Sequence, residues 1–195
     1  MKKGVYYVYL FRHGETYYNE DHIFTGWKDS KLTLEGVKQA KIIAKKLKNK
    51  KIQVAFKTKL SRSKQTLKEV LKFHPECKKI IEDNRMIERN YGKLEGHHHK
   101  KIINLYGKEQ FKKWHRDFYT RPPKGESFAD VEKRVKSFII YLKKFIKKEK
   151  VNVAISSHGN SIRLFKKIME NLSIKKTERL NIPFDKYYEY KIEVK

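Results

Sequence analysis

The chain has 195 residues and only one cysteine, Cys77, so no disulfide can form within it. No run of apolar residues approaches the roughly 20 positions that a membrane-spanning helix needs, and no signal peptide precedes Val5. The sequence also contains neither an internal repeat nor a linker rich in proline or glycine. These absences predict a single cytoplasmic domain over residues 1–195, long enough to bury a sizeable core.

Acidic residues are scarce: 22 Asp and Glu stand against 48 Lys and Arg, which gives a formal net charge of +26. A surface this basic attracts polyanions, so a nucleic acid or a small acidic substrate would be suitable partners. No zinc-finger spacing and no basic run interleaved with aromatics is present. We therefore prefer a solvated lysine surface and a small acidic substrate, and we expect neither specific nucleic-acid binding nor membrane binding.

Two similar segments stand far apart in the sequence. Residues 5–11 are rich in β-branched and aromatic side chains, which indicates a buried strand, and Arg12-His13-Gly14 follows, where Gly14 allows a sharp turn. Residues 151–157 form a second apolar run, which ends in His158-Gly159-Asn160. Ligands of open α/β sheets bind at the carboxyl ends of strands. If the two strands are parallel neighbours, His13 and His158 meet at such a site.

The remaining pattern alternates strands with helices. Further strands are expected at residues 52–58, 79–82 and 187–194, and helices at 60–73, 100–106, 108–118 and 160–172. Another helix is capped by Thr33, with Leu34 on its inward face, and a long one begins at the capping-box pair Ser127 and Asp130. The alternation predicts an α/β fold, a single-domain three-layer α/β/α sandwich around a mostly parallel central sheet.

These motifs resemble a known family. Arg12-His13-Gly14-Glu15 together with Ser157-His158-Gly159-Asn160 is similar to the histidine phosphatase superfamily. Three further segments resemble its 2,3-bisphosphoglycerate-dependent phosphoglycerate mutase branch, namely Phe24-Thr25-Gly26-Trp27, Glu88-Arg89-Asn90-Tyr91-Gly92 and Leu180-Asn181-Ile182-Pro183. The resemblance covers nearly the whole chain.

The resemblance implies a role for each matching residue. His13 matches the histidine that becomes phosphorylated, Glu88 matches the general acid and base, and the residues that hold the transferred phosphoryl group correspond to Arg12, Arg62 and His158. Substrate or phosphate contacts correspond to Asn19, Thr25, Gly26, Arg89, Tyr91, Arg116, Gly159 and Asn160. The implied cofactor is 2,3-bisphosphoglycerate, which supplies the first phosphoryl group.

The chain departs from the family pattern at basic positions. Relatives usually have a lysine where an ungapped alignment puts His99, with Lys100 next to it, and often two arginines where this chain has His115-Arg116. All four residues are candidate substrate contacts. A histidine with an ordinary pKa is partly charged at neutral pH. We therefore expect the KM for phosphoglycerate to rise between about pH 6 and 8.

No carboxylate cluster has metal-ligand spacing, and a phosphohistidine route needs no metal. The segment His97-His98-His99 could be interpreted as a metal site, but its spacing does not place three ligands on one helix face. We predict no metal.

Three functions remain as alternatives. The first is a phosphoglycerate mutase of glycolysis and gluconeogenesis, with some phosphatase activity. The second is a phosphatase that releases the same phosphohistidine to water, and the third is a protein that binds polyanions or nucleic acids on this scaffold. The sequence leaves the oligomeric state open, and a homodimer is one candidate.

Overall fold

The computed structural model describes residues 4–194, and within them it contains five strands and seven α-helices. The strands are β1 (Gly4–Arg12), β2 (Val54–Lys57), β3 (Lys79–Glu82), β4 (Val153–Ser157) and β5 (Tyr187–Val194). The helices are α1 (Tyr17–Glu20), α2 (Leu34–Leu47), α3 (Ser61–Leu71), α4 (His99–Arg116), α5 (Phe128–Glu149), α6 (Gly159–Met169) and α7 (Ile174–Arg179).

The strands form one sheet in the order β3-β2-β4-β1-β5. Strands β3, β2, β4 and β1 run parallel, and β5 pairs antiparallel with β1 at the edge. Because β1 and β4 are hydrogen-bonded neighbours in the register Arg12 to Ser157, His13 and His158 follow directly at the same sheet edge. The expected mostly parallel sheet and the parallel pairing of the two strand–His–Gly segments are confirmed.

Helices cover both faces of the sheet, as three layers require. Along β1, Val8 and Leu10 face a core built largely with α5 and α6, while Tyr9 and Phe11 face a second core built with α2 and α3. All four side chains are buried, since alternate residues of a strand point to opposite faces. The uncharged character of this strand follows from burial on both sides.

The expected helix starts are present. Thr33 caps α2 by accepting a hydrogen bond from the N–H of Gly36, and Ser127 and Asp130 form the capping box of α5. One detail was wrong: Leu34 is 82% exposed, because it lies on the side of α2 opposite the buried residues Ala40, Ile43 and Leu47.

The two short helices expected between residues 100 and 118 are two halves of α4. They join at Gly107, whose φ of 81° and ψ of 160° lie outside the helical region and favour glycine. Of the helices formed by residues 4–194, none combines the length and the apolar character that crossing a membrane would require.

Gly14 follows β1 for a reason that the sequence pattern did not indicate. Its φ is not among the positive values in the described chain, so the expected sharp turn does not explain it. A Cβ at this position would lie 2.1 Å from the carbonyl oxygen of Gly36. The loop after β1 therefore packs backbone to backbone against the start of α2, and any side chain here would separate them.

Candidate active site

A cleft of about 390 Å³ opens at the carboxyl end of the sheet. Arg12 and His13 reach it from the end of β1, Arg62 from the start of α3, Glu88 from the loop after β3, and Asn160 from the start of α6. Residues from four separate parts of the chain therefore converge where ligands of parallel α/β sheets bind.

The His13 ring is fixed in one tautomer. Its Nδ1 lies 2.7 Å from the carbonyl oxygen of Gly14, which can only accept a hydrogen bond, so Nδ1 carries the proton. The other ring nitrogen, Nε2, is then left with its lone pair. Burial, followed by the charges of Arg62 and Arg12, lowers the pKa of His13 well below its ordinary value, so the ring is neutral at pH 7.

His158 lies behind His13 and is fully buried, with the two ring centroids 5.1 Å apart. Its Nε2 is 2.8 Å from the hydroxyl oxygen of Thr58. Within residues 4–194, its Nδ1 has no hydrogen-bond partner. Burial, with Arg62 as the next cause, holds the pKa of His158 well below the ordinary histidine value. A buried ring atom without a partner can serve a ligand at this position.

Arg12 and Arg62 supply fixed positive charge next to His13. Arg12 donates through Nη1 to the carbonyl oxygen of Ile182, and Arg62 donates through Nη2 to that of Gly26. Burial lowers the pKa of each guanidinium to about 10, which still leaves both charged at neutral pH. In the part of the chain that the structure describes, the Nε atoms of both are buried and unpartnered. An anion with several acceptor oxygens fits this pair.

The Glu88 carboxylate is held by backbone groups. Its Oε1 accepts hydrogen bonds from the N–H groups of Arg89, at 2.7 Å, and Asn160, at 3.1 Å. Both bonds use the same oxygen, so Oε2 remains for proton exchange with a ligand. The backbone carbonyl of Glu88 is fixed as well, by the Trp27 indole N–H at 2.7 Å and by Arg134 Nη2 at 3.1 Å.

Most of the residues expected to contact substrate line the cleft. They are Asn19, Thr25, Gly26, Tyr91, His99, His115, Arg116, Gly159 and Asn160. Tyr91 and Asn160 are joined, because the Asn160 amide donates to the Tyr91 hydroxyl at 3.1 Å. Gly26 adopts a φ of +50°, and a Cβ there would lie 1.9 Å from the Glu95 carboxylate.

Two of the expected substrate contacts lie elsewhere. Arg89 is fully buried, and its guanidinium donates to the carbonyl oxygens of Glu126, His115 and Thr120, so it braces loops rather than facing the cleft. Lys100 is exposed on α4 and is not among the lining residues, whereas its neighbour His99 is. Of the two, His99 therefore occupies the cleft position.

The structure contradicts the premise of the expected pH-dependent KM, namely that these histidines have an ordinary pKa. Burial is the largest cause that lowers the pKa of His99 to about 4 and that of His115 to about 2, with Arg116 and nearby histidines adding to it. Both rings are therefore neutral throughout pH 6 to 8 in the free protein, and neither loses a charge in that range. The sequence shows the residue type but not its burial.

Several lining residues have no strong sequence signal. Arg163 is buried, donates to the Asn160 side chain and to the carbonyl of Leu180 at 2.7 Å, and lines the cleft one helical turn after Asn160. That spacing was the available clue. Phe184 lies under Arg12, with its ring centroid 3.8 Å from the guanidinium carbon. It lies in a loop that showed no periodic pattern.

Within residues 4–194, no group of three or more His, Cys, Asp or Glu side chains could hold a metal ion, and His97-His98-His99 does not form one. The positive charge in the cleft comes from arginine side chains.

Most of the chain is similar in sequence to one protein family. Residues 8–193 match the sequence profile of the histidine phosphatase superfamily, branch 1. A 2,3-bisphosphoglycerate-dependent phosphoglycerate mutase from Methanococcus vannielii is 32% identical over 203 residues, covering 89% of this chain and 85% of the relative. One of the same name from Chlamydia abortus is 34% identical over 209 residues, covering 92% and 91%.

Solved structures share the fold. Phosphoglycerate mutase from Bacillus anthracis superposes with a TM-score of 0.83 at 23% identity, covering 98% of this chain and 92% of that one. Alpha-ribazole phosphatase from Shigella flexneri gives a TM-score of 0.80 at 23% identity, covering 94% and 89%. A mutase and a phosphatase therefore share this architecture, so the fold alone does not separate the two reactions.

Proposed function

The chain belongs to the histidine phosphatase superfamily, and from this premise we propose that it is a 2,3-bisphosphoglycerate-dependent phosphoglycerate mutase. It interconverts 3-phosphoglycerate and 2-phosphoglycerate through a phosphohistidine at His13. The observation that carries the phosphohistidine chemistry is the Nδ1 hydrogen bond of His13 to Gly14, which leaves an unprotonated Nε2 on a ring close to two buried arginines. The relatives named as mutases, 32% and 34% identical to this chain, support the mutase reaction.

The first chemical step follows from this arrangement. Nε2 of His13 attacks phosphorus, the N–P bond forms, and the ester P–O bond breaks. Arg12 and Arg62 stabilise the negative charge on the non-bridging oxygens, and a hydrogen bond from His158 Nδ1 to one of these oxygens adds to this stabilisation. The protonated Glu88 carboxyl donates a proton from Oε2 to the leaving alkoxide.

The second step reverses these roles on the free hydroxyl group of a bound monophosphoglycerate. Glu88, now ionised, accepts the proton of that hydroxyl, whose oxygen attacks the phosphorus on His13. The N–P bond breaks and the phosphoryl group is returned at the new position. The doubly phosphorylated product then rebinds in the opposite orientation, His13 takes up its other phosphoryl group by the first step, and the isomeric monophosphoglycerate is released. A cleft of about 390 Å³ can accommodate both orientations.

The cleft also fits the proposed cofactor. Within residues 4–194, four buried polar atoms around it have no hydrogen-bond partner: Arg12 Nε, Arg62 Nε, Arg163 Nε and His158 Nδ1. A doubly phosphorylated glycerate carries the acceptor oxygens that such donors require. When bound, 2,3-bisphosphoglycerate supplies the phosphoryl group that first loads His13. Arg12 and Arg62 would hold that group, and Arg116 and Arg163 would hold the second phosphate.

We further propose that the enzyme acts in glycolysis and gluconeogenesis in the cytoplasm, where phosphoglycerates are used. A single domain over residues 1–195 and a metal-free mechanism complete the proposal. Assembly as a homodimer remains a prediction to be measured by light scattering.

A phosphomonoesterase is the second candidate, and one observation favours it. His99 and His115 line the cleft as neutral rings at pH 7, so the end of the cleft away from His13 carries less fixed positive charge than two lysine or arginine side chains would provide. A weaker hold on the glycerate carboxylate favours release before the second transfer. Water would then take the phosphoryl group.

The two reactions separate in one assay. Phosphorus NMR follows 3-phosphoglycerate with and without 2,3-bisphosphoglycerate, and resolves 2-phosphoglycerate from inorganic phosphate. We expect 2-phosphoglycerate to form several times faster with the cofactor present, and faster than inorganic phosphate. Inorganic phosphate as the dominant product in both samples would select the phosphatase and reject the mutase.

A further inference from the structure

The hydroxyl group of Thr58 contacts the ring of His158. Thr58 follows β2 as His158 follows β4, and these two strands are parallel neighbours in the register Phe56 to Ile155. The Thr58 Oγ1 atom lies 2.8 Å from Nε2 of His158, and both residues are fully buried. The contact is therefore set by the pairing of two central strands.

Hydrogen bonds hold Thr58 itself in place. Its backbone N–H donates to the Ser63 hydroxyl at 3.1 Å, and that hydroxyl donates to the carbonyl oxygen of Ser156 at 2.8 Å. The Ser156 hydroxyl in turn donates to the carbonyl oxygen of Ser63 at 2.9 Å. The side chain of a threonine is branched at Cβ, which restricts its rotation. The Thr58 hydroxyl is thus presented to His158 in a defined position.

Two arrangements of protons fit the contact between Thr58 and His158. In the first, the hydroxyl donates to Nε2, and the neutral ring carries its proton on Nδ1. In the second, Nε2 carries the proton and donates to the hydroxyl oxygen, so Nδ1 has only a lone pair. Within residues 4–194 the Thr58 hydroxyl has no other hydrogen-bond partner. The second arrangement therefore leaves two buried groups unpaired, the hydroxyl hydrogen and Nδ1, whereas the first leaves one, which favours the first.

The group that the first arrangement leaves over is the Nδ1 hydrogen, on a ring whose centroid lies 5.1 Å from that of His13. Phosphoryl oxygens accept hydrogen bonds, so they pair with an N–H group and are repelled by a lone pair. Burial keeps the pKa of His158 well below its ordinary value, with the charge of Arg62 as the next cause. The ring therefore meets the phosphoryl group without a charge of its own, and the position of its one proton decides whether it stabilises or repels that group.

We propose that Thr58 is a positioning residue for phosphoryl transfer: its hydroxyl fixes His158 in the tautomer with the proton on Nδ1, so that a neutral imidazole donates a hydrogen bond to the transferred phosphoryl group. The inference rests on the proposed phosphohistidine chemistry of His13. In the described part of the chain, Thr58 does not line the cleft, so it acts through His158. Because the donor is set before substrate binds, no proton has to move within the site as charge develops on the phosphoryl oxygens.

Nitrogen NMR of the protein with isotope-labelled histidine measures the tautomer directly. Protonated and unprotonated ring nitrogens differ widely in chemical shift, and couplings to the carbon-bound ring protons tell Nδ1 from Nε2. The signals of His158 are those that are lost in His158→Asn. In wild type at pH 7, without phosphate or sulfate, we expect a protonated Nδ1 and an unprotonated Nε2 at His158.

Two substitutions separate the hydroxyl of Thr58 from the shape of its side chain. Thr58→Val keeps the branched shape and removes the hydroxyl, whereas Thr58→Ser keeps the hydroxyl. Loss of a whole oxyanion donor lowers kcat by about 10² to 10³, and Thr58→Val disturbs such a donor without removing it. We therefore expect kcat for phosphoglycerate to fall by about tenfold to a hundredfold in Thr58→Val and by less than about threefold in Thr58→Ser. The His158 signals should show mixed tautomers in Thr58→Val and one tautomer in Thr58→Ser.

The substrate dependence of the loss separates His158 from Glu88. The burst of nitrophenolate reports the first transfer from 4-nitrophenyl phosphate to His13, and in Thr58→Val its rate should fall by a factor similar to that for phosphoglycerate. The reason is that the His158 hydrogen bond goes to non-bridging oxygens, which both substrates share. A loss confined to phosphoglycerate would mean that the substitution displaced Glu88, and it would reject the proposal.

The matched control is Thr177→Val. Thr177 lies on α7 and is fully buried, and its hydroxyl donates to the carbonyl oxygen of Ser173 at 2.8 Å. This variant therefore also loses a buried hydroxyl with one hydrogen bond. It should leave kcat and the His158 signals as in wild type.

Four further outcomes would overturn the inference: a protonated Nε2 at His158 in wild type, wild-type kcat in Thr58→Val, equal losses in Thr58→Val and Thr58→Ser, or an unchanged single tautomer in Thr58→Val. If Thr58→Val does not fold, the wild-type spectrum still decides. Failure of the proposed function is recognised separately. If labelled 2,3-bisphosphoglycerate phosphorylates wild type and not His13→Asn, the phosphohistidine chemistry stands whatever the tautomer of His158.

Discussion

The carboxylate of Glu88 accepts a hydrogen bond from the backbone N–H of Asn160 at 3.1 Å, which ties the loop after β3 to the first turn of α6. The same turn follows His158, so the acid/base candidate and the two histidines share one rigid frame. A second backbone N–H, from Arg89, holds the same oxygen at 2.7 Å. Among residues 4–194, backbone N–H groups alone hold the carboxylate and thereby fix the position of Oε2.

Replacing Glu88 with Gln should keep this frame and remove the proton. The amide oxygen can accept both backbone hydrogen bonds, while its nitrogen cannot deliver a proton to an alkoxide. We expect kcat for phosphoglycerate to fall by about 10² to 10⁴. The first transfer from 4-nitrophenyl phosphate to His13, measured as the burst of nitrophenolate, should fall far less, because this leaving group needs no proton.

The matched control for that experiment is Glu149→Gln, which removes a carboxylate at the exposed end of α5. It should behave as wild type. If Glu88→Gln loses the same factor on both substrates, or less than about threefold on phosphoglycerate, the proton donor is another residue.

Arg134 should act on catalysis through Glu88. Its guanidinium donates to the backbone carbonyls of Arg85, Ile87 and Glu88, and pairs with the Glu126 carboxylate at 3.0 Å. Lysine cannot reach these acceptors together. In Arg134→Lys we expect kcat to fall by about tenfold to a hundredfold with a smaller change in KM, since a displacement of about 1 Å costs that much.

A purely structural role would reduce all substrates alike, so substrate dependence decides the point. If Arg134 positions Glu88, the loss in Arg134→Lys is greater for benzyl phosphate than for 4-nitrophenyl phosphate. Lys133→Gln, at an exposed neighbouring position, is the control. An equal loss on both esters would assign Arg134 to stability alone.

Acid should destabilise the free protein through its buried histidines. Burial keeps the pKa of His13 and His158 well below 6.5 in the folded state, so well above pH 6.5 both states are neutral and neither ring affects the pH dependence. Below that pH the unfolded chain takes up protons that the folded chain does not. The free energy of unfolding should then fall with decreasing pH, with a slope that approaches about 1.4 kcal/mol per pH unit for each ring.

Thermal unfolding in buffers without phosphate or sulfate measures this effect. Between pH 6.5 and 5 the two rings together should remove up to about 3 kcal/mol. The drop in Tm should be smaller in His158→Asn than in wild type, and smaller in His13→Asn as well. The same drop in wild type and in both variants would show that other groups cause it.

The lysine-rich surface should speed the encounter with an anionic substrate. With a net charge of +26, attraction acts over about a Debye length, which shortens as salt is added. Raising ionic strength from about 20 to about 300 mM should lower kcat/KM for phosphoglycerate several-fold and change kcat less. A flat kcat/KM would mean that the charge plays no part in capture. Salt-resistant, sequence-selective binding of DNA or RNA would instead support a nucleic-acid role.

The sequence predicted the meeting of His13 and His158 because both follow apolar runs, and parallel strands end at a common edge. The same apolar runs predicted the two strands. The placement of Arg62 and Glu88 required the family resemblance, since an isolated arginine or glutamate is ordinarily a surface residue. Their burial arises from packing between segments distant in sequence, which no local pattern records.

Arg89 illustrates the opposite case. Next to Glu88 in a recognised motif, it was expected to contact substrate, yet its donors serve the carbonyls of Glu126, His115 and Thr120. Arg163 was missed although it lines the cleft. The orientation of each guanidinium depends on the backbone carbonyls near it. Most of these carbonyls lie in loops, where the sequence shows no periodic pattern.

The most direct test of the account is the site of phosphorylation. Incubation with labelled 2,3-bisphosphoglycerate should give an acid-labile, alkali-stable phosphoenzyme, with the phosphoryl group on Nε2 of His13. Peptide mapping at alkaline pH identifies the residue, and phosphorus NMR distinguishes the two ring nitrogens. His13→Asn should not be labelled. Label on His158, on Nδ1 of His13, or retained in His13→Asn would contradict the account.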